Sequence, residues 1–250
     1  MIVDYLGHSG FLVETDHALM LFDYYVGDLA LIDQKPAEKP LFVFASHAHA
    51  DHFRPAVFRL NGHGRDVRFL LSDDIRGKRS VPESADCLFL GPDKTYEIPG
   101  LGTVRTLLST DEGVAFLVRT EDAAVYHAGD LNWWDWEGED PEWLASQERI
   151  YKREISTLKD ERIDAAFVVL DDRLEDRYAE GMEWFLSVCS ADYVFPMHFW
   201  KDRKRIRRFV SGYAARGSGT VILDTAGETT HWVLPDKRKG ENGHAVSNGS

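Results

Sequence analysis

The 250-residue sequence predicts one α/β domain in which sheets are sandwiched between helices. Two patterns support this fold class. Apolar runs of strand length dominate the first half of the chain, whereas helical patterns alternate with strands in the second half. Hydrophobic residues make up 44% of the chain, which is enough for a sizeable core. We expect the domain to span residues 1–235 and residues 236–250 to form a polar tail.

The predicted strands are short apolar runs separated by turn residues. A hairpin is expected around Asp16 and His17, and the run Leu41–Ala45 is typical of a strand that is covered on both faces. Further strands are predicted at 67–71, 87–90, 103–108, 114–119, 124–127, 165–170 and 193–196, with a last strand pair at 220–223 and 230–234. Helices are predicted at 54–60, 142–159, 181–189 and 201–215.

Charge and composition narrow the range of partners and compartments. The net charge of −13 repels phosphate backbones, so the sequence disfavours a nucleic-acid partner and favours a small-molecule substrate. An anionic substrate stays open, because metal ions can dominate the field of a site. Cys87 and Cys189 are isolated, as in a reducing compartment, and neither a signal core nor a long apolar stretch is present. We expect a cytoplasmic protein without a membrane span; a homo-oligomer is left open.

The most informative motif follows the strand at 41–45 directly. Four side chains that can bind a transition metal lie within six residues, namely His47, His49, Asp51 and His52. Neutral imidazole and carboxylate groups are ligands that zinc, manganese and iron accept. Such a polar cluster at the end of a buried strand has no role in packing, so the motif predicts a metal centre.

This HxHxDH pattern after an apolar strand resembles the metallo-β-lactamase superfamily. The resemblance implies a four-layer αββα sandwich with the metal site at one edge, between the sheets. Two later segments fit the same family: residues 125–130 resemble the strand that delivers a bridging aspartate, here Asp130, and residues 194–198 resemble the strand that delivers the last histidine, His198. Near the start, residues 6–10 and 21–23 resemble the branch of metal-dependent hydrolases that contains ascorbate-6-phosphate lactonase.

The resemblance also implies how the ligands divide between two metal positions. The first position takes His47 and His49, the second takes Asp51, His52 and His198, and Asp130 bridges them. The family usually supplies a third histidine to the first position, but no histidine occurs between His63 and His127 in this chain.

The position of that absent histidine falls at or near Thr110. Asp111 or Glu112, on the same loop, could restore a ligand, and a carboxylate in place of imidazole would favour manganese or iron over zinc. The sequence therefore leaves three outcomes open: two divalent metal ions, one ion, or a site that has lost its activity.

Five more residues are predicted to lie beside the metals. His8 and Asp23 follow strand ends; His8 is expected to orient a ligand, bind substrate or make a structural hydrogen bond, and Asp23 to hold a ligating imidazole. His127 lies at the end of the predicted strand that leads to Asp130, and it is the third residue expected to support the metal ligands. Trp133 and Trp134 could line a substrate pocket or pack the next helix on the sheet.

Taken together, these motifs predict a hydrolase that uses metal-bound hydroxide on an ester, lactone or phosphodiester bond of a small substrate. Asp51 and Asp130 are the predicted catalytic residues. The basic run 201–208 is either a solvated helix face or a source of cations for an anionic substrate. The alternative is a catalytically impaired metal-binding or ligand-sensing protein on the same scaffold. The absent histidine is the reason to consider it.

Overall fold

Two seven-stranded sheets form the computed structural model, which describes residues 1–61, 64–215 and 219–235. In the first sheet the chain adds strands side by side, and the last strand of the described chain completes the edge beside β1. This sheet contains β1 (Ile2–Gly7), β2 (Gly10–Glu14), β3 (Leu19–Phe22), β4 (Leu41–Ala45), β5 (Val67–Ser72), β6 (Cys87–Leu90) and β14 (His231–Val233).

The second sheet is built from the middle of the chain, and its strands neighbour one another in chain order. It contains β7 (Thr95–Ile98), β8 (Gly102–Leu108), β9 (Val114–Arg119), β10 (Ala124–His127), β11 (Arg162–Val169), β12 (Ser190–Met197) and β13 (Val221–Ile222). Strands β7 to β10 are antiparallel, whereas β10 to β13 are parallel.

Alternation of side chains explains why β4 is apolar along its whole length. In β4, Phe42 and Phe44 point into the core between the sheets, whereas Leu41, Val43 and Ala45 belong to a second core on the outer face. The strand therefore needs hydrophobic residues at every position, as the sequence predicted.

Helices cover the outer faces and complete the predicted four-layer arrangement. The second sheet packs against α1 (Pro141–Ser156), α2 (Glu180–Val188) and α3 (Arg203–Ala214). Over the first sheet the layer consists of short 3-10 helices, Leu29–Gln34 and Pro55–Leu60, which bury Ile32, Val57 and Leu60. Helix α1 begins one residue before the predicted start, because Asp140 accepts hydrogen bonds from the first-turn amides and Pro141 occupies the first turn.

Two sequence expectations differ from the structure. The predicted last strand pair is wrong as a pair: β13 joins β12 in the second sheet, whereas β14 joins β1 in the first. Each has few residues and finds a longer partner elsewhere, which adjacency in sequence could not reveal. Strand β7 was not predicted, because Thr95–Ile98 lacks an apolar run. The proposed tail at 236–250 lies outside the described residues.

The topology brings several strand ends to one edge of the sandwich. Parallel neighbours share their carboxyl ends, so β3 and β4 of the first sheet end beside each other, as do β10, β11 and β12 of the second. Loops that follow these five strands contain the HxHxDH cluster, Asp130 and His198, so the fold gathers them at this edge.

Candidate metal centre

Two glycines allow other loops to pack against the backbone that leads into the histidine cluster. Gly113 has φ +68, and a Cβ there would lie 2.0 Å from the carbonyl oxygen of Ser46. Gly129 has φ +53, and its Cβ would lie 2.6 Å from that of Ser46. Only glycine combines this backbone conformation with so close an approach, so both loops depend on it to reach the site.

The first group of candidate ligands contains His47, His49, Asp111 and Asp130, whose ligand atoms all lie within 4.8 Å of one another. His47 Nε2 is 3.0 Å from His49 Nδ1 and 3.5 Å from Asp130 Oδ2. His49 Nδ1 is 3.9 Å from Asp111 Oδ2. Two ligands of one zinc ion are about 3.4 Å apart in a tetrahedral site, so these separations fit a shared ion.

The second group contains His8, Asp51, His52 and His198, again within 4.8 Å of one another. Asp51 Oδ2 lies 3.3 Å from His8 Nε2 and 3.9 Å from His52 Nε2. Asp130 Oδ1 lies 3.1 Å from His52 Nε2 and 3.2 Å from His198 Nε2, so the two oxygens of Asp130 face different groups. This is the placement that a bridging carboxylate requires.

Buried atoms without hydrogen-bond partners show that the residues fit metal ions. Among the described residues, His8 Nε2, His52 Nε2, His198 Nε2 and Asp130 Oδ1 are fully buried and accept or donate no hydrogen bond. Unpaired buried polar atoms cost about 1–3 kcal/mol each, and four of them meet at one point. A bound cation satisfies all four together.

Asp23 fixes the orientation of His52. The buried carboxylate accepts hydrogen bonds from His52 Nδ1 at 2.7 Å, from the Ser46 amide at 2.7 Å and from Ser46 Oγ at 2.6 Å. Because a carboxylate only accepts, His52 has its proton on Nδ1 and turns the Nε2 lone pair to the site. Ser46 Oγ in turn accepts from His47 Nδ1 at 2.9 Å, which fixes the second imidazole in the same tautomer.

Asp171 does the same for His198 from the second sheet. Its Oδ2 accepts a hydrogen bond from His198 Nδ1 at 3.0 Å, and Arg173 pairs with the same carboxylate. Asp171 was not among the predicted residues, although it directly follows the apolar run at 165–170. His198 was predicted from its resemblance to a family motif, whereas the only signal for Asp171 was its position directly after a buried strand.

Left-handed backbone marks three of these positions. His8, Asp23 and His198 have φ of +55, +41 and +65, and the His198 amide donates a hydrogen bond to the His8 carbonyl at 3.2 Å. Such conformations are uncommon for residues other than glycine and cluster at functional sites.

His127 supports the site through hydrogen bonds to the backbone. Its Nδ1 accepts a hydrogen bond from the Gly129 amide at 3.1 Å, so Nε2 has the proton and donates to the Ser9 carbonyl at 2.9 Å. Burial lowers the pKa of this imidazole and keeps it neutral. His127 thus connects the Asp130 loop to the loop that contains His8.

The electrostatics keep the candidate ligands ready to bind. Burial, together with the neighbouring His52, lowers the pKa of His47 to about 4, so its imidazole is neutral. Burial opposes ionisation of Asp130 and Asp51, but the histidines around them outweigh it and hold both carboxyl pKa values below the usual range. These three groups bind cations without releasing protons at neutral pH. His52 differs, because Asp130 and Asp23 outweigh burial and raise its pKa well above the usual range, so this imidazole releases a proton when a metal binds.

The structure distinguishes the three residues near the absent histidine. Thr110 Oγ1 donates to the carbonyl of Asn132 at 2.6 Å and is occupied by the backbone. Glu112 pairs with Lys78 at 2.8 Å. Asp111 belongs to the first ligand group, whereas Glu112 does not, although its Oε2 lies 3.7 Å from His49 Nε2.

A cavity of about 280 Å³ opens over both groups. Trp134 lies at its inner end, 5.8 Å from the His198 ring, and Trp136 stacks on Trp134 at 5.8 Å. Trp133, which was predicted as a pocket residue, does not line it. Its indole packs against the core and under Lys152 of α1, as the packing alternative had it.

The basic run at 201–208 supplies no cation to this cavity. Arg203 donates to the Ala226 carbonyl, Arg205 lies over Tyr178, and Arg207 pairs with Asp224. The cation that lines the cavity is Arg173, which sequence reasoning missed because one arginine in a charged loop is ordinary.

The family model described as the beta-lactamase superfamily domain matches residues 2–135, which is more than half of the chain. The chain belongs to this family. The matched region contains the HxHxDH cluster, Asp111 and Asp130, so membership rests on most of the residues that form the site. The predicted resemblance is thereby confirmed.

Relatives of the beta-lactamase superfamily agree with this assignment. A metal-dependent hydrolase of Opitutus terrae is 30% identical over 146 residues, or 52% of this chain and 63% of its own length. The matches thus span less than two thirds of the curated relatives.

Solved structures show the same fold across nearly the whole chain. A metallo hydrolase from the archaeon Ignicoccus hospitalis has 19% identity and a TM-score of 0.64, covering 94% of this chain and 99% of that one. A diiron β-hydroxylase from Streptomyces venezuelae has 14% identity and a TM-score of 0.60, covering 93% and 53%. The α/β sandwich that the sequence predicted is therefore confirmed. No helix in the described residues has the length and apolarity to cross a membrane.

Proposed function

We propose that this protein is a metal-dependent hydrolase that cleaves an ester, lactone or phosphodiester bond in a small substrate. The observation that supports this most is the convergence of four buried ligand atoms that have no hydrogen-bond partner among the described residues, beside a cavity that Asp130 and His198 line. The Opitutus terrae relative is named as a metal-dependent hydrolase, which supports the same reaction class.

Two divalent ions fit the donor set. His47, His49 and Asp111 would hold the first and Asp51, His52 and His198 the second, with Asp130 between them and His8 beside the second. When bound, such ions polarise the bond under attack and activate a water molecule at neutral pH. The carboxylate share of the first group favours manganese or iron over zinc.

Asp51 has the geometry to orient the attacking water. It is the more exposed of the two predicted catalytic carboxylates and lines the cavity, and its Oδ2 lies 3.3 Å from His8 Nε2. His8 and His52 hold its pKa below the usual range against the effect of burial, so it stays ionised and accepts a hydrogen bond. Asp130 is buried, and its role is to hold both ligand groups in register.

The position of Asp111 weakens the case for an impaired metal-binding or ligand-sensing protein. That alternative rested on an incomplete first group, and Asp111 supplies a carboxylate where imidazole is absent. The two functions still differ in one respect, because only the hydrolase turns substrate over.

The test compares the purified protein with Asp51→Ala after loading with manganese, iron or zinc. We expect hydrolysis of at least one of p-nitrophenyl acetate, a γ-lactone or bis(p-nitrophenyl) phosphate, and a loss of 100-fold or more in Asp51→Ala. Asp86→Ala removes an exposed carboxylate that pairs with Arg68, and it should retain full activity. Turnover of none of the substrates by any metal-loaded form, with metal bound, would refute the hydrolase.

A further inference from the structure

Arg173 lines the cavity, and one edge of its guanidinium has no protein partner among the described residues. Its Nε and Nη2 pair side-on with Asp171, with Nε 2.9 Å from Oδ1. The hydrogen bonds of Arg173 within the described residues all go to this one carboxylate, so the end-on edge, Nη1 and the second Nη2 hydrogen, is unused. That edge offers the two parallel donors that bind a carboxylate or phosphate bidentately.

Neighbouring indoles hold this guanidinium in place. The Arg173 Cζ atom lies 5.0 Å from the ring centre of Trp200 and 5.5 Å from that of Trp136. Together with the Asp171 pairing, these contacts fix the side chain before any ligand arrives, so little conformational entropy is lost on binding.

The rest of that wall is aromatic. Trp134, Trp136 and Trp143 line the cavity, and the Trp134 and Trp136 rings are parallel within 2°. Trp134 is buried beside His198, whereas Trp143 is 38% exposed, so the indoles extend from the metal centre to solvent. Flat rings of a ligand gain contact area and favourable stacking on such a surface.

The aromatic wall and the metal side of the cavity differ in charge. Asp51, Asp111 and Asp130 line the metal side, where cations would offset them, and Arg173 is the one cationic side chain among the described residues of the lining apart from the histidines. The volume of about 280 Å³ is close to the lower limit for ligand pockets and suits one small molecule.

We propose that Trp136, Trp143 and Arg173 form a subsite that selects a small aromatic anion, with its ring on the indoles and its carboxylate or phosphate on the free edge of Arg173. This subsite rests on the proposed function for the bond that is cleaved, but its binding can be measured without any turnover. The substrate would therefore contain an aromatic ring and a free carboxylate or phosphate in addition to the ester, lactone or phosphodiester bond that is cleaved.

The test is isothermal titration calorimetry of the metal-loaded protein with benzoate, cyclohexanecarboxylate and benzyl alcohol. We expect benzoate to bind most tightly, cyclohexanecarboxylate more weakly because it does not stack, and benzyl alcohol most weakly because it has no charge. In Arg173→Met the dissociation constant of benzoate should rise about tenfold to a hundredfold. Trp143→Ala should raise it about threefold to tenfold.

Matched variants separate the subsite from general effects. Arg177→Met removes an arginine that pairs with Asp135 outside the cavity lining, and Trp184→Leu removes a partly buried indole of α2; both should bind benzoate within twofold of the parent. Metal content is measured for each variant, because Arg173 also contacts Asp171, which supports His198. Arg173→Lys keeps a cation beside Asp171 but lacks the fork, so it tests the same edge if Arg173→Met loses metal.

Two results would overturn the proposal. Equal affinity for benzoate in the parent and in metal-replete Arg173→Met and Arg173→Lys would show that the carboxylate binds the metals instead. Equal affinity of the parent for benzoate and benzyl alcohol would show that charge plays no part. Absence of hydrolysis with benzoate binding intact would instead refute only the proposed reaction.

Discussion

Replacing Asp23 by asparagine should lower the metal affinity of the histidine cluster while leaving the fold in place. Asp23 Oδ2 accepts from both His52 Nδ1 and Ser46 Oγ, and Oδ1 accepts from the Ser46 amide. An asparagine oxygen can replace Oδ1, but its amino group then faces His52 Nδ1 and must donate. The His52 proton moves to Nε2, where it occupies the lone pair that faces the site.

The size of this effect follows from the contacts. Loss of a residue that orients a metal-binding histidine costs about 10-fold to 100-fold in metal affinity. Two hydrogen bonds also lose their charge assistance in a fully buried place, so the free energy of unfolding should fall by about 2–4 kcal/mol. Competition with a chromophoric chelator measures the affinity, and urea unfolding measures the stability.

A matched control comes from another buried carboxylate. Asp4 accepts from Lys35 Nζ at 2.7 Å and from His231 Nδ1 at 2.6 Å, far from the cluster along β1. Asp4→Asn should lower stability but leave metal affinity within twofold of the parent. If Asp23→Asn binds metal as tightly as Asp4→Asn does, Asp23 does not set the position of the His52 proton, and that reasoning is refuted.

Three further predictions concern the loops and the thiols. Asp111→Ala should lower the occupancy of the first metal by half or more in elemental analysis, whereas Glu112→Ala should not; equal losses would remove Asp111 from the ligands. Gly113→Ala should cost about 2–4 kcal/mol in urea unfolding, because its Cβ overlaps backbone, against about 1 kcal/mol for Gly138→Ala, which has open space; equal costs would contradict this packing. Cys87 should react with iodoacetamide at pH 8 roughly a hundredfold more slowly than free cysteine, because burial raises its thiol pKa to about 11. Mass spectrometry that shows the rate of a free thiol would contradict that burial.

Local patterns predicted the parts of the site that lie on single strand ends. The cluster at 47–52 was visible because four metal-binding side chains so close together after a buried strand have no role in packing. Asp130 and His198 were found from motifs at the ends of β10 and β12, and the structure brings both to the cluster. Asp23 was predicted to hold an imidazole, and it pairs with His52.

Features that depend on relations between distant segments were missed. Asp171 and Arg173 gain their roles only because β11 lies between β10 and β12, which places the loop after β11 over the cavity. Trp133 and Trp136 are three residues apart, yet one packs against α1 and the other lines the cavity. The path of the loop decides which indole packs against α1 and which lines the cavity, and composition does not reveal that path.

Crystals of the metal-loaded protein, measured at the manganese, iron and zinc absorption edges, test the central claim most directly. The account predicts two anomalous peaks, one among His47, His49, Asp111 and Asp130 and the other among Asp130, Asp51, His52 and His198. A single peak in the second group would reduce the centre to one ion. Crystals of protein that was loaded with each of the three metals, without a peak in either group, would contradict the metal centre itself.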